Sequence, residues 1–70
     1  MEPFGDRIQR LRKARGMSQS ELAEHIGVSQ SNISAYESGK QEPKMSQLIL
    51  FARTFGVSID YVCGLTETEH

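Results

Sequence analysis

Few residues of this 70-residue chain carry groups and spacings that could do chemistry, and they do not spell catalysis. There is no paired-carboxylate motif, no Ser/His/Asp arrangement and no glycine-rich phosphate loop, and Cys63 has no histidine placed to activate it. Enzymatic activity is therefore not expected. With Cys63, His25 and His70 as its only thiol and imidazoles, the chain offers neither an internal disulfide nor the ligand spacing of a structural zinc site. No metal, cofactor or small-molecule ligand is expected. Hydrogen-bonding capacity is what remains. On a helical wheel over residues 30–38, Ile33, Tyr36 and Glu37 share one side, Ser31, Ser34, Ala35 and Ser38 cluster opposite, and Gln30 projects from the first turn. A face this small and uncharged lets a helix enter a groove lined with base edges. There glutamine can bond adenine bidentately, serine can give or accept, and an alanine methyl can touch the methyl of thymine.

Charge is unevenly spread. Although the net charge is −1, residues 1–16 hold Arg7, Arg10, Arg12, Lys13 and Arg15 against only Glu2 and Asp6. Lys40 and Lys44 form a second small basic site around Glu42. Such asymmetry in a small domain points to one face meeting an anion. Arg12 and Glu37 fall on apolar stripes, four residues after Ile8 and Ile33, where either charge alone would be costly; as a guanidinium–carboxylate pair they can satisfy each other. Arg7, Arg10 and Lys13 face away from that stripe and are expected to be solvated or to help with phosphate. Arg15 is expected to stabilise the negative end of its helix. His25 reads as an ordinary helix residue and Cys63 as a small buried or interfacial hydrophobe.

The elements that position these groups are marked by punctuation. Gly16-Met17-Ser18, Gly27-Val28-Ser29 and Gly56-Val57-Ser58 each fuse a helix stop to a helix start. Glycine takes the left-handed position that ends one helix, and serine two residues later accepts from free N–H groups of the next. The pairs Met17–Leu22, Val28–Ile33 and Val57–Val62 then sit at hydrophobic-staple positions, and Glu21 completes a capping box with Ser18. Five short helices follow: Pro3 to Arg15, Gln19 to Ile26, Gln30 to Ser38, Met45 to Phe55 and Ile59 to about Cys63. The periodic sets Phe4, Ile8, Leu11 and Leu48, Phe51, Ala52, Phe55 supply inward faces. The expected fold is all-α, with one domain over residues 1–65 and a frayed polar tail over 66–70. At 37% hydrophobic and 24% charged residues, the composition is globular rather than disordered.

A three-residue turn between the second and third helices is helix-turn-helix geometry. Leu22, Ile26, Val28, Ile33 and Tyr36 supply its apolar set, Ala23 the small crossing residue and Gly27 the turn. With the runs Met17 to Ala23, Gly27 to Gly39 and Phe55 to Tyr61, the chain resembles the Cro and phage-repressor (XRE-like) family of helix-turn-helix domains. That resemblance implies a compact five-helix, lambda-repressor-like DNA-binding domain with helix 3 in the major groove. It carries base contacts onto Gln30, Ser31, Ser34 and Ala35, and phosphate contacts onto Gln19 at a helix N-terminus and onto Lys40 and Lys44 in the following loop. Asn32 and Ser38 could add neutral donors. It also implies an internal pair at Arg12 and Glu37. No arginine is present on the outer face of helix 3 to read guanine, so affinity is expected to come largely from phosphates.

One such module buries little DNA, so a homodimer on a palindromic operator is expected. Leu50, Ile59, Tyr61, Val62, Cys63 and Leu65 are the interface candidates, without a division between interface and core. The expected function is sequence-specific double-stranded DNA binding as a cytoplasmic transcriptional regulator, a repressor by resemblance, either as a complete small protein or as the N-terminal part of a longer one. The modest net charge keeps a protein-interaction module, antitoxin-like or adaptor-like, as the alternative.

Overall fold

The computed structural model describes residues 2–69, and five α-helices organise them. They are α1 (Phe4–Ala14), α2 (Gln19–Ile26), α3 (Gln30–Ser38), α4 (Met45–Phe55) and α5 (Ile59–Val62), with no strand among the described residues. The three central helices have the expected bounds. Pro3 and Arg15 cap α1 rather than belong to it, and α5 closes one residue early, at Val62.

The Gly-x-Ser junctions act through specific bonds. The Glu21 N–H donates to Ser18 Oγ at 3.0 Å while the Ser18 N–H donates to Glu21 Oε1 at 3.1 Å, a closed capping box. Ser29 Oγ accepts from the Asn32 N–H and Ser58 Oγ from the Tyr61 N–H, at 3.1 and 3.0 Å. At the turn into α3, Gly27 has a φ of +80° and donates its N–H to Ala23 O at 2.8 Å. A side chain would be strained there, so glycine is what allows α2 to stop and α3 to leave at an angle. Met17, Val28 and Val57, the residues between glycine and serine, pack half-buried against the core.

Phe51 sits fully buried at the centre. Phe4 and Tyr36 meet it edge-on, with ring centroids at 5.8 and 6.2 Å, and Phe55 stacks at 6.4 Å. Ile8, Leu22, Ile33 and Val62, one from each other helix, are also fully buried. Each such side chain contributes about 1.5–3 kcal/mol by leaving water. α1 crosses the C-terminal end of α3 at Gly5, so closely that a Cβ there would lie 2.3 Å from Glu37 O and 2.6 Å from Tyr36 O. This contact sets how near α3 lies to α1.

Three expectations change. Arg7 is not a solvated residue: it is 1% exposed, and its Nη1 donates to Tyr61 O at 2.7 Å and Thr66 O at 3.1 Å, its Nε to Glu2 Oε1 at 2.9 Å, with its guanidinium 4.4 Å from the Tyr61 ring centre. The cause is tertiary, because α5 and the segment after it fold back over the start of α1 and enclose a position off the apolar stripe. The tail is accordingly tied down rather than frayed, with the Ser58 N–H donating to Glu69 O at 2.7 Å. Met1 and His70, the ends of the domain and tail assigned from sequence, lie outside the described residues. Among the dimer candidates, Tyr61 and Val62 are core residues of the same chain, 6% and 0% exposed, and are not free to meet a second copy. α5 is so short that its inward face consumes half of it.

Arg15 bridges two helix ends, donating to Leu11 O at 3.3 Å and to Phe55 O. Arg10 donates to both carboxylate oxygens of Glu2 and to the Tyr61 hydroxyl, so it is occupied as well. Burial opposes the charge on Arg7, but the Glu2 hydrogen bond and the nearby Glu67 charge outweigh it and leave its pKa above the ordinary value.

Candidate nucleic-acid interface

The candidate surface is built on the first turns of α2 and α3. In each, a serine N-cap is followed by a glutamine, Ser18-Gln19 and Ser29-Gln30, and the turn through Gly27 brings these two glutamines together. Gln30 Nε2 donates to Gln19 Oε1 at 2.7 Å. Gln19 Nε2 in turn donates to Glu37 Oε1 at 3.0 Å. Glu37 is held by Arg12, whose Nε lies 2.7 Å from Oε2 and whose Nη2 lies 3.2 Å from Oε1. Arg12 Nη1 completes the chain by donating to Met17 O at 2.8 Å. Both partners of the pair are 8% exposed as residues, so the bidentate bond works in an interior of low polarisability.

A continuous set of hydrogen bonds therefore runs from inside the domain to the tip of α3. Arg12 and Glu37 tie α1 to α3, Gln19 ties α2 to both ends of α3, and Gln30 stands exposed at the outer end. Neither the Gln19–Gln30 contact nor the Glu37–Gln19 contact follows from residue spacing within one helix. The repeated Ser-Gln at two helix starts was the available signal, but only the crossing of α2 and α3 turns that repeat into a contact.

Along α3, Ser31 and Ser34 are exposed beside Gln30, and Ala35 is half-buried next to them. Asn32 is half-buried on the first turn. Ser38 is exposed, and its hydroxyl donates to Ala35 O at 3.2 Å, a bond it must give up to donate to a phosphate oxygen. The helix ends at Gly39, and the Lys40 N–H donates back to Ala35 O at 2.9 Å, so Lys40 starts directly from the helix end. Lys44 caps α4. Its N–H donates to Gln47 Oε1 at 2.8 Å, and the Tyr36 hydroxyl donates to the same oxygen at 3.1 Å. Gln47, which the sequence did not single out, thus fastens the loop of residues 39–44 to α3. Lys40 and Lys44 are exposed, with no ion-pair partner among the described residues. They differ in this from Arg7, Arg10 and Arg12.

The surface can do three things chemically. It can present hydrogen-bonding edges at Gln30, Ser31 and Ser34 without a bulky side chain in the way. It can offer cationic donors from the loop that follows α3. It can also hold the outermost amide in one orientation. Among the described residues no cluster of His, Cys, Asp or Glu could hold a metal, and no helix is long and apolar enough to cross a membrane. Elsewhere, a shallow cavity of about 280 Å³ is lined by Phe4, Glu42, Pro43, Leu48 and Cys63. It carries no polar constellation beyond Glu42.

Comparison with known proteins places this geometry in context. The helix-turn-helix family model matches residues 8–62. The uncharacterized HTH-type transcriptional regulator YobD of Bacillus subtilis is 39% identical over 64 residues, covering 91% of this chain and 57% of YobD. The cryptic phage CTXphi transcriptional repressor RstR of Vibrio cholerae is 36% identical over 64 residues, with 91% of this chain and 57% of RstR covered. The chain thus spans a little over half the length of these relatives. Among solved structures, the P22 c2 repressor in complex with a synthetic operator superposes with a TM-score of 0.84 at 31% identity, covering 89% of this chain and 94% of that one.

Proposed function

Taking as premise that this chain belongs to the Cro and phage-repressor (XRE-like) helix-turn-helix family, we propose that it binds specific double-stranded DNA sites as a transcriptional regulator, and as a repressor. In this reading α3 enters the major groove, with Gln30, Ser31, Ser34 and Ala35 at base edges. Gln19, Asn32, Ser38, Lys40 and Lys44 contact the phosphates, and Arg12 with Glu37 holds α3 to the body of the domain. The observation that carries the proposal is the bonded chain from the buried Arg12–Glu37 pair through Gln19 to Gln30, which orients a base-reading group before DNA arrives. Preorganisation of this kind lowers the entropy lost on binding. A synthetic operator accompanies the P22 c2 repressor, and RstR is named a repressor; both support the reading.

The domain measures 28 × 22 × 21 Å, so two copies fit side by side on half-sites about 34 Å apart. A homodimer on a palindrome is the corresponding assembly. Leu65, 74% exposed, and Ile59, 36% exposed, with the half-buried Leu50 and Cys63, are the remaining interface candidates. The site of action is the cytoplasm.

The test is selection from a random duplex library with the purified chain, followed by titration of the enriched site at two salt concentrations. A palindrome with half-sites one helical turn apart is the expected product. Its affinity should fall steeply with salt, and Lys40→Ala and Lys44→Ala should each reduce the logarithmic salt slope by about 0.9. If no duplex is enriched while a protein is bound in a manner indifferent to Gln19 and Gln30, the DNA reading is wrong and the domain is an interaction module.

A further inference from the structure

The polarity of the two surface amides is not free, and a single buried charge decides it. A carboxylate only accepts, so the group of Gln19 that meets Glu37 Oε1 at 3.0 Å must be its Nε2. The planar amide then turns its Oε1 the other way, toward Gln30. An oxygen at 2.7 Å from Gln30 requires a donor there, so Gln30 must commit Nε2 to it. Gln30 is left with one N–H and its own Oε1 for a ligand. That donor–acceptor edge complements adenine, which shows an acceptor at N7 and a donor at N6, and it lacks the second free N–H that guanine's two acceptors, O6 and N7, would call for.

We infer that Glu37, acting through Gln19, is a positioning residue that fixes the hydrogen-bonding polarity of Gln30 and biases the site it reads toward adenine over guanine. The inference rests on the DNA-binding reading above and goes beyond the pair's role in joining α1 to α3. Glu37 touches no base. It is 8% exposed, and its influence passes through one intermediate side chain. Exchanging its carboxylate for an amide removes the constraint, because the new group can donate, Gln19 can turn over, and Gln30 can then swing its oxygen inward and present its N–H groups outward.

Two variants test this. Glu37→Gln alters the polarity at its source but leaves Arg12 without a charged partner, so its folding must be checked. Gln19→Met cuts the relay and leaves the Arg12–Glu37 pair intact. In the free protein, the side-chain amide resonances of Gln30 should move in Glu37→Gln, although residue 30 does not touch residue 37; an unmoved Gln30 amide overturns the relay without reference to DNA. On the selected duplex, the relevant base pair is the one whose identity ceases to matter in Gln30→Ala. There both variants should lose about tenfold of the preference for adenine over guanine. A uniform loss of affinity with the adenine-to-guanine ratio unchanged would overturn the inference and leave the DNA reading standing, since lost phosphate contacts or lost stability act equally on both duplexes. If the wild type enriches no duplex at all, the DNA reading fails and the adenine bias fails with it.

Discussion

Replacing Gly5 with alanine sets two effects against each other, and the structure says which one wins. In a helix alanine is favoured over glycine by about 1 kcal/mol, and by less in the first turn, where Gly5 lies. By that rule Gly5→Ala stabilises. The added methyl, however, would stand 2.3 Å from Glu37 O and 2.6 Å from Tyr36 O, whereas ordinary contact begins at 3.4 Å. The obstructing atoms are backbone, so α1 and α3 would have to part by about 1 Å. Overpacking of this sort costs about 1–3 kcal/mol. Separation also strains the 2.7 Å bond between Arg12 and Glu37, which spans the same two helices. The net expectation is a loss of about 2 kcal/mol, a large share of the stability a domain of this size holds, and a melting temperature lower by about 10 °C. Thermal unfolding followed by far-ultraviolet circular dichroism measures it. A melting temperature equal to or above that of the wild type would refute the argument, and would mean that α3 yields to α1 without cost.

Other substitutions probe the charged groups. Glu37→Ala removes the acceptor of two Arg12 donors and strands a guanidinium in a residue 8% exposed, so stability should fall by about 3 kcal/mol; an unchanged melting temperature would reject the pair as structural. Arg7→Met leaves Tyr61 O and Thr66 O without their side-chain donor and should speed hydrogen exchange of the backbone over residues 58–69, with exchange identical to wild type as the contrary result. The Glu2 carboxyl is held at about 2, against an ordinary 4.5, by hydrogen bonds from Arg10 first and Arg7 second. Because the folded value lies below the unfolded one, its stabilising contribution is present above pH 4.5 and is lost as pH falls through about 2. A carboxyl titration by NMR should show this midpoint, and Arg10→Ala should raise it; a wild-type midpoint near 4.5 would remove the cluster from the account.

The sequence by itself determined the five helices, their order and the bounds of the three central ones. Those features are local: a glycine that accepts a left-handed φ, a serine that caps, and an apolar stripe of 3.6-residue period each act within about one turn of chain. It also marked Arg12 and Glu37 as candidates for an internal pair, because both charges fall on inward faces, and the structure forms that pair. Tertiary structure alone decided the fate of Arg7, which is polar by pattern and interior in fact, since enclosure depends on where α5 and the tail come to rest some 54 residues later in the chain. It decided that Tyr61 and Val62 are core, that Gly5 is a spacer between two helices, and that Gln47 joins Tyr36 to Lys44. It likewise turned two separate Ser-Gln steps into one bonded pair leading back to Glu37. In each case the deciding contact joins groups on different helices. Its geometry follows from how those helices cross, which no pattern within one helix encodes.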